Sequence, residues 1–306
     1  SDRDAAKSIL ENNLYGLEID ERAYHLAYFA LMMKARSYNR RILNKETKFN
    51  LLEIREPIAS LKPEFEQYLG KYTDLSHYLV NVFEDAKEFG SILNLDCTAE
   101  QLDNLKTHLD ELKEEAINKD LVTQSEVCEL NDLLKPLIKQ ARLLVQKYDV
   151  VITNPPYLGS GRYTKTLSNY IQKNHQIAKQ DLSTVIFKNI INSFCKDNGY
   201  VSLISTVSWM FIQRFEEFRK YVFKYMSLTS IIDYGTELFD GKIGHLPIAS
   251  YSFIKVPNLK HNFKTIRLTD YCYSDKNKKR NEYFNPKNTY LTNQSVFMQI
   301  PVEPIA

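Results

Sequence analysis

Glycine is scarce in this chain, 9 among 306 residues, and no G-x-G-x-x-G run occurs. The first glycine is Gly16, and the closest pair, in Gly159-Ser160-Gly161, follows a proline turn instead of opening a helix. It is therefore a weak signal for a phosphate- or cofactor-cradling loop. The four cysteines, Cys97, Cys128, Cys195 and Cys272, are widely scattered and form no C-x-x-C pair. Neither a zinc site nor a disulfide framework is suggested, and reduced thiols in the cytoplasm are the simplest expectation. No apolar run approaches membrane-spanning length and no signal-peptide pattern opens the chain, so neither a membrane partner nor secretion is expected. Charge is nearly balanced, with 40 Lys and Arg against 38 Asp and Glu. No global field marks a polyanionic partner, and any such patch must be local.

What is present is concentrated at Asn154-Pro155-Pro156-Tyr157, directly behind the run Tyr148-Asp149-Val150-Val151-Ile152-Thr153. The β-branched run predicts a strand buried on both faces, as in a parallel sheet. The two prolines stop it abruptly and stiffen the turn. An amide, rigid carbonyls and an aromatic ring then sit at the carboxyl end of a strand, where open α/β sheets bind ligands. These groups suit methylation of an exocyclic amine, a poor nucleophile because its lone pair is delocalised into its ring. The Asn154 oxygen and the Pro155 carbonyl would accept its N–H bonds and favour a tetrahedral nitrogen, stabilising the transition state more than the ground state. Tyr157 would stack on the ring bearing the amine. A proline-stopped strand with an incidental Asn and a packed Tyr is the plainer alternative.

Asn154 to Tyr157 resemble motif IV of the amino-methyltransferases that use S-adenosylmethionine. Asn13-Leu14-Tyr15-Gly16-Leu17-Glu18-Ile19-Asp20 resembles their motif II. The resemblance implies that Glu18 accepts from the cofactor's ribose hydroxyls and that Ile19 flanks its adenine. Asp20 reads better as a helix N-cap. The stretch from Ile9 to Arg36, with Glu11-Asn12-Asn13-Leu14-Tyr15-Gly16 and Ala30-Leu31-Met32-Met33-Lys34-Ala35-Arg36, is similar to the PglX-type adenine-specific DNA methyltransferases of BREX phage defence, relatives of the type IIG restriction-modification enzymes. Ile300-Pro301-Val302-Glu303-Pro304-Ile305-Ala306 resembles the passage of that family into its target-recognition region. The resemblance implies N6 methylation of a flipped-out adenine in double-stranded DNA, with other proteins of the defence system as further partners. The family's glycine-rich first motif has no counterpart in the chain. An internal piece of a longer enzyme is therefore expected, binding S-adenosylmethionine poorly and inactive by itself. No convincing D…E-x-K constellation sits on a strand pair, so no nuclease is assigned.

The implied fold is α/β, a Rossmann-type three-layer methyltransferase sandwich. It has a mostly parallel sheet, an antiparallel hairpin and an inserted helical subdomain. Residues 1–43 would hold the motif II strand and its helix, 44–147 the helical insertion, 148–257 the remaining methyltransferase elements, and 258–306 the start of target recognition. Apolar residues Ala23, Leu26, Ala27, Ala30, Leu31 and Met33 predict a helix packing on the sheet. Thr98-Ala99-Glu100-Gln101 is a capping box, followed by leucines at helical spacing. A second helix begins near Ser125, and Pro136 should kink or break it.

Asp96, behind Ser91-Ile92-Leu93-Asn94-Leu95, is the candidate for the third motif, accepting from the cofactor's adenine amine; a turn residue is the alternative. Residues 158–180 read as a polar, basic lid or as a mobile surface loop. For the second aromatic ring against the target base, Phe253 fits best and Tyr251 is in reserve; core packing of either carries about equal weight. The loop 239–245 would border the same pocket. From Lys255 onward, basic and aromatic residues interleave, as in segments that approach phosphates. Methylation of protein glutamine or RNA guanine N2 and a non-catalytic scaffold remain open alternatives.

Overall fold

The computed structural model describes residues 2–44, 47–236, 238, 246–258, 260–270, 276–285, 287–300 and 305. The chain forms two compact units, Ser1–Gln146 and Lys147–Ala306. No helix among the described residues is long and apolar enough to cross a membrane.

In the first unit, helix Asp2–Asn12 leads into strand β1, Tyr15–Glu18. Asp20 caps the next helix, Glu21–Tyr38, by accepting from the Arg22 N–H at 2.8 Å. Strand β2, Asn50–Glu53, lies parallel to β1 with Glu18 opposite Glu53. A core of Leu10, Met32, Ala35 and Ile42 joins these pieces. The predicted helical stripe is corrected here. Met32 and Ala35 are the buried residues of the helix, whereas Leu26 is 68% exposed and Ala23, Ala30 and Met33 also face out. The helix is apolar on more than one side, so spacing alone could not select its packed face. Because β2 pairs with β1, the helical insertion also begins later than residue 44.

That insertion centres on helices Ala99–Ala116 and Leu121–Val145. The Thr98–Gln101 capping box forms as expected. Leu102, Leu105 and Leu109 are fully buried, as are Leu130, Leu134 and Ala141 on the second helix. Pro136 lies inside that helix without breaking it. Pro136 and Asp132 are both exposed, so water can satisfy the carbonyl that loses its N–H partner.

The second unit is built on a six-stranded sheet in the order β3-β4-β6-β5-β7-β8. Its strands are β3 Tyr148–Thr153, β4 Cys195–Thr206, β5 Ser227–Gly235, β6 Ile248–Ile254, β7 Asn262–Arg267 and β8 Thr289–Asn293. The β3–β4 and β5–β7 pairs are parallel, while β6 and β8 run against the other four strands. Four of the six strands thus share one direction, in the mixed sheet expected of the fold. The core beside it is aromatic: Phe187, Trp209, Phe218, Tyr251 and Phe253 are all buried, with Phe187 and Phe253 ring centroids 5.0 Å apart.

Two expectations change. Within this chain strand β3 stands at one end of the strand order, and its Val150 and Ile152 side is open, with Ile152 78% exposed. A β-branched run reports strand propensity, but not how many layers pack on it. The basic stretch after Lys255 is partly built into the sheet. It supplies β7 and β8, and Lys279 buries its amine against the Tyr234 and Thr236 carbonyls at 2.8 and 2.9 Å. Strands β7 and β8 thus extend the sheet.

Candidate active site

Position in the sheet decides what the proline turn can offer. Strand β3 pairs in parallel with β4 up to Thr153↔Leu203, and the next residue leaves the ladder at the carboxyl end. The register slips between Tyr148 and Val150, where Gly199 of β4 approaches the Asp149 carbonyl so closely that a Cβ would lie 3.0 Å from it. Beyond the last ladder pair, Asn154 is exposed, Pro155 is buried and Pro156 is exposed. Pro155 packs into the unit, and its ring fixes φ at the turn.

Tyr157 is half-buried, and burial raises its hydroxyl above the ordinary tyrosine value. The hydroxyl donates to Asn154 Oδ1 at 2.7 Å and lies 3.3 Å from the Ile204 carbonyl on β4. A phenol has one proton, so the shorter contact is the stronger bond. The Asn154 amide oxygen is thus oriented by its neighbour three residues on, and its second lone pair remains to accept a further N–H. The turn therefore presents an oriented acceptor and a partly open ring at the carboxyl end of β3.

On the first unit, Glu18 closes β1 and turns its carboxylate back on its own chain. Oε1 accepts from the Ile19 and Asp20 N–H groups at 2.8 and 3.0 Å. Oε2 has no hydrogen-bond partner among the described residues. Ile19 is exposed and apolar; a Cβ at Gly90 would lie 3.2 Å from its side chain. The neighbouring strand end differs, because Glu53 is buried and paired with Arg55 at 2.9 Å and Lys87 at 3.1 Å.

Asp96 is exposed and not at a strand end. Gly90–Ile92 is a 3-10 turn, and the Asp96 N–H donates to the Tyr78 hydroxyl at 2.6 Å, two residues ahead of the Thr98 cap. Residues 93–98 form neither strand nor helix.

Phe253 is corrected as the second stacking ring. It is 0% exposed in the central strand β6, against Phe187, and has no face free for a base. Tyr251 is equally buried, its hydroxyl 3.0 Å from Met210 Sδ. Alternation in β6 marks both as inward-facing, but alternation cannot separate a core from a pocket. The loop 239–245 lies outside the described residues. Helix Lys165–Asn174, capped by Thr164, was missed because its ten residues carry few apolar anchors; Leu167 and Ile171 are the two buried ones. Buried Gln294 was also unpredicted. Its side chain accepts from the Leu228 N–H at 2.8 Å and donates to the Met226 carbonyl, closing the start of β5.

The sequence profile of the Eco57I restriction-modification methylase matches residues 12–239, a span that includes both Glu18 and the proline turn. The chain belongs to that family. Adenine-specific methyltransferase PglX of Lacticaseibacillus casei (strain Zhang) is 30% identical over 327 residues, covering 100% of this chain and 26% of PglX. Adenine-specific methyltransferase BrxX of Escherichia coli O9:H4 (strain HS) is 29% identical over 331 residues, covering 99% and 27% respectively. The chain therefore spans about a quarter of the length of these curated relatives. Among solved structures, the ATP-dependent Type ISP restriction-modification enzyme LlaBIII bound to DNA aligns over 93% of this chain and 17% of its own, with TM-score 0.51 and 11% identity. At that identity the likeness concerns the fold, and it agrees with the mixed sheet and flanking helices of this Eco57I-family chain.

Proposed function

We propose that the protein carrying this chain methylates the N6 amine of adenine in duplex DNA, in a phage-defence or restriction-modification setting in the cytoplasm. The observation that carries the reading is the Asn154–Tyr157 hydrogen bond at the carboxyl end of β3. It orients one acceptor, keeps an aromatic ring beside it, and needs no strong base. When bound, S-adenosylmethionine supplies the electrophilic methyl group. The Glu18 carboxylate suits its ribose diol: two backbone amides fix one oxygen and leave the other to accept. Exposed Ile19 offers an apolar surface to an adenine ring.

Asn154 Oδ1 and the Pro155 carbonyl accept the two N–H bonds of the target amine, drawing its lone pair out of the ring plane. The Asn154 oxygen is oriented by Tyr157 before the substrate arrives, so little reorganisation of that acceptor is needed. Tyr157 stacks on the extruded base and offsets part of the unstacking cost. The nitrogen loses its proton after it has become quaternary and acidic.

The test is Asn154→Ala in the full-length gene product, with methyl incorporation into duplex DNA as the readout. Loss of one preorganised acceptor should cost about 2.7–4 kcal/mol, or roughly 10²–10³ in kcat. A variant turning over at the wild-type rate overturns the assignment.

A further inference from the structure

We infer that residues 158–180, which follow the proline turn, form a duplex-phosphate clamp whose cations are Arg162, Lys165 and Lys173. This rests on the proposed DNA methylation and adds to it the surface that holds the backbone beside the extruded base.

From Val150 to Gln180 there is no acidic residue, whereas Arg162, Lys165, Lys173 and Lys179 all fall in this interval. The chain as a whole is nearly neutral, so the local excess is not a reflection of general composition. The acids at either margin are already engaged. Asp149 pairs with Lys196 at 2.9 Å, and Asp181 caps the helix Leu182–Asn189 by accepting from Ser183. Nothing within the segment neutralises its cations.

Its geometry is that of a closed excursion, not a loose loop. The Ser160 N–H donates to the Gln180 carbonyl and the Leu182 N–H to the Leu158 carbonyl, with Gly159 and Asp181 bridged antiparallel. Both ends are therefore held immediately behind Tyr157. Helix Lys165–Asn174 turns Leu167 and Ile171 inward. At about 100° per residue, Lys165, Asn169, Gln172 and Lys173 fall on the opposite side, and all four are exposed. Half-buried Tyr163 pins the start of the excursion, between exposed Arg162 and the Thr164 cap. The outward side thus carries cations and amides, the groups that contact phosphate oxygens without reading sequence. Its tether to the base-stacking ring selects the strand that bears the extruded base.

The experiment uses the full-length protein with Arg162, Lys165 and Lys173 all replaced by Gln, and Lys220→Gln as a control at an exposed site paired with Glu216. Duplex binding is measured across salt concentrations, beside methylation at saturating DNA and cofactor binding by calorimetry. The expected result is a salt slope shallower by about 2.7, since each neutralised phosphate contributes about 0.9. The Lys220 control should keep the wild-type slope, and cofactor affinity should be unchanged in both variants. An unchanged slope in the triple variant of a protein that methylates DNA overturns the clamp alone. A wild-type protein that binds duplex DNA without methylating it overturns the functional reading and leaves the clamp to the slope. A wild-type protein that does not bind duplex DNA overturns both.

Discussion

Replacing Tyr157 by Phe isolates the hydroxyl from the ring. The hydroxyl donates to Asn154 Oδ1 at 2.7 Å, within the strong range for O–H···O, and only grazes the Ile204 carbonyl at 3.3 Å. Phe keeps the aromatic face and the packing of the half-buried ring. What disappears is the restraint on the Asn154 amide. Because Asn154 is exposed, water can replace the lost donor, so the cost should be that of an ordinary net hydrogen bond, about 0.5–1.5 kcal/mol. If the whole of that restraint acts in the transition state, the single-turnover rate should fall roughly 2- to 13-fold. Tyr157→Ala removes the ring as well. It should lose a further 1–3 kcal/mol or so of base stacking, visible as weaker extrusion of the target. The assay pairs rapid-quench methylation with fluorescence of 2-aminopurine at the target position, using the full-length protein. The Phe variant should flip the base normally and react slowly, whereas the Ala variant should be impaired in both. If Phe reacts at the wild-type rate, or loses flipping as fully as Ala, the hydroxyl does not position Asn154.

Two further substitutions test other parts of the structure. Glu18→Gln keeps an oxygen for the Ile19 and Asp20 amides but removes the charge offered to the cofactor. The affinity for S-adenosylmethionine, measured by calorimetry on the full-length protein, should fall about 10- to 100-fold, as for loss of a charged hydrogen bond. Gly199→Ala would place a Cβ 2.8 Å from the Lys196 carbonyl and 2.9 Å from Cys195 Sγ. It should destabilise the second unit by about 1–3 kcal/mol in urea denaturation; a midpoint equal to wild type would show that the β3–β4 slip relaxes freely.

The local features of the site were legible before any coordinates. Two prolines behind a β-branched run set a strand end, and Asp20 and Thr98 cap helices where their side chains predict. Such features act over three or four residues, so composition suffices to read them. Phe253 and the helix Glu21–Tyr38 show the limit. Period 2 placed Phe253 on one face of β6 but not at the centre of a sheet against Phe187, and period 3.6 could not choose among the several apolar sides of the helix. Asp96 shows a related limit, since an apolar run ahead of an acid looks the same in an irregular segment as at the end of a strand.

The amino-acid sequence by itself determined the stiff turn behind β3 and the polar and aromatic groups it displays, because both depend on residue identity and short-range backbone constraint. Only the tertiary structure decided that β3 stands at one end of the strand order, that the aromatics of β6 are core, and that the Tyr157 hydroxyl aims the Asn154 oxygen. Strand order, layer coverage and side-chain pairing across strands arise from contacts between residues far apart in the chain, and no local pattern encodes which partner wins.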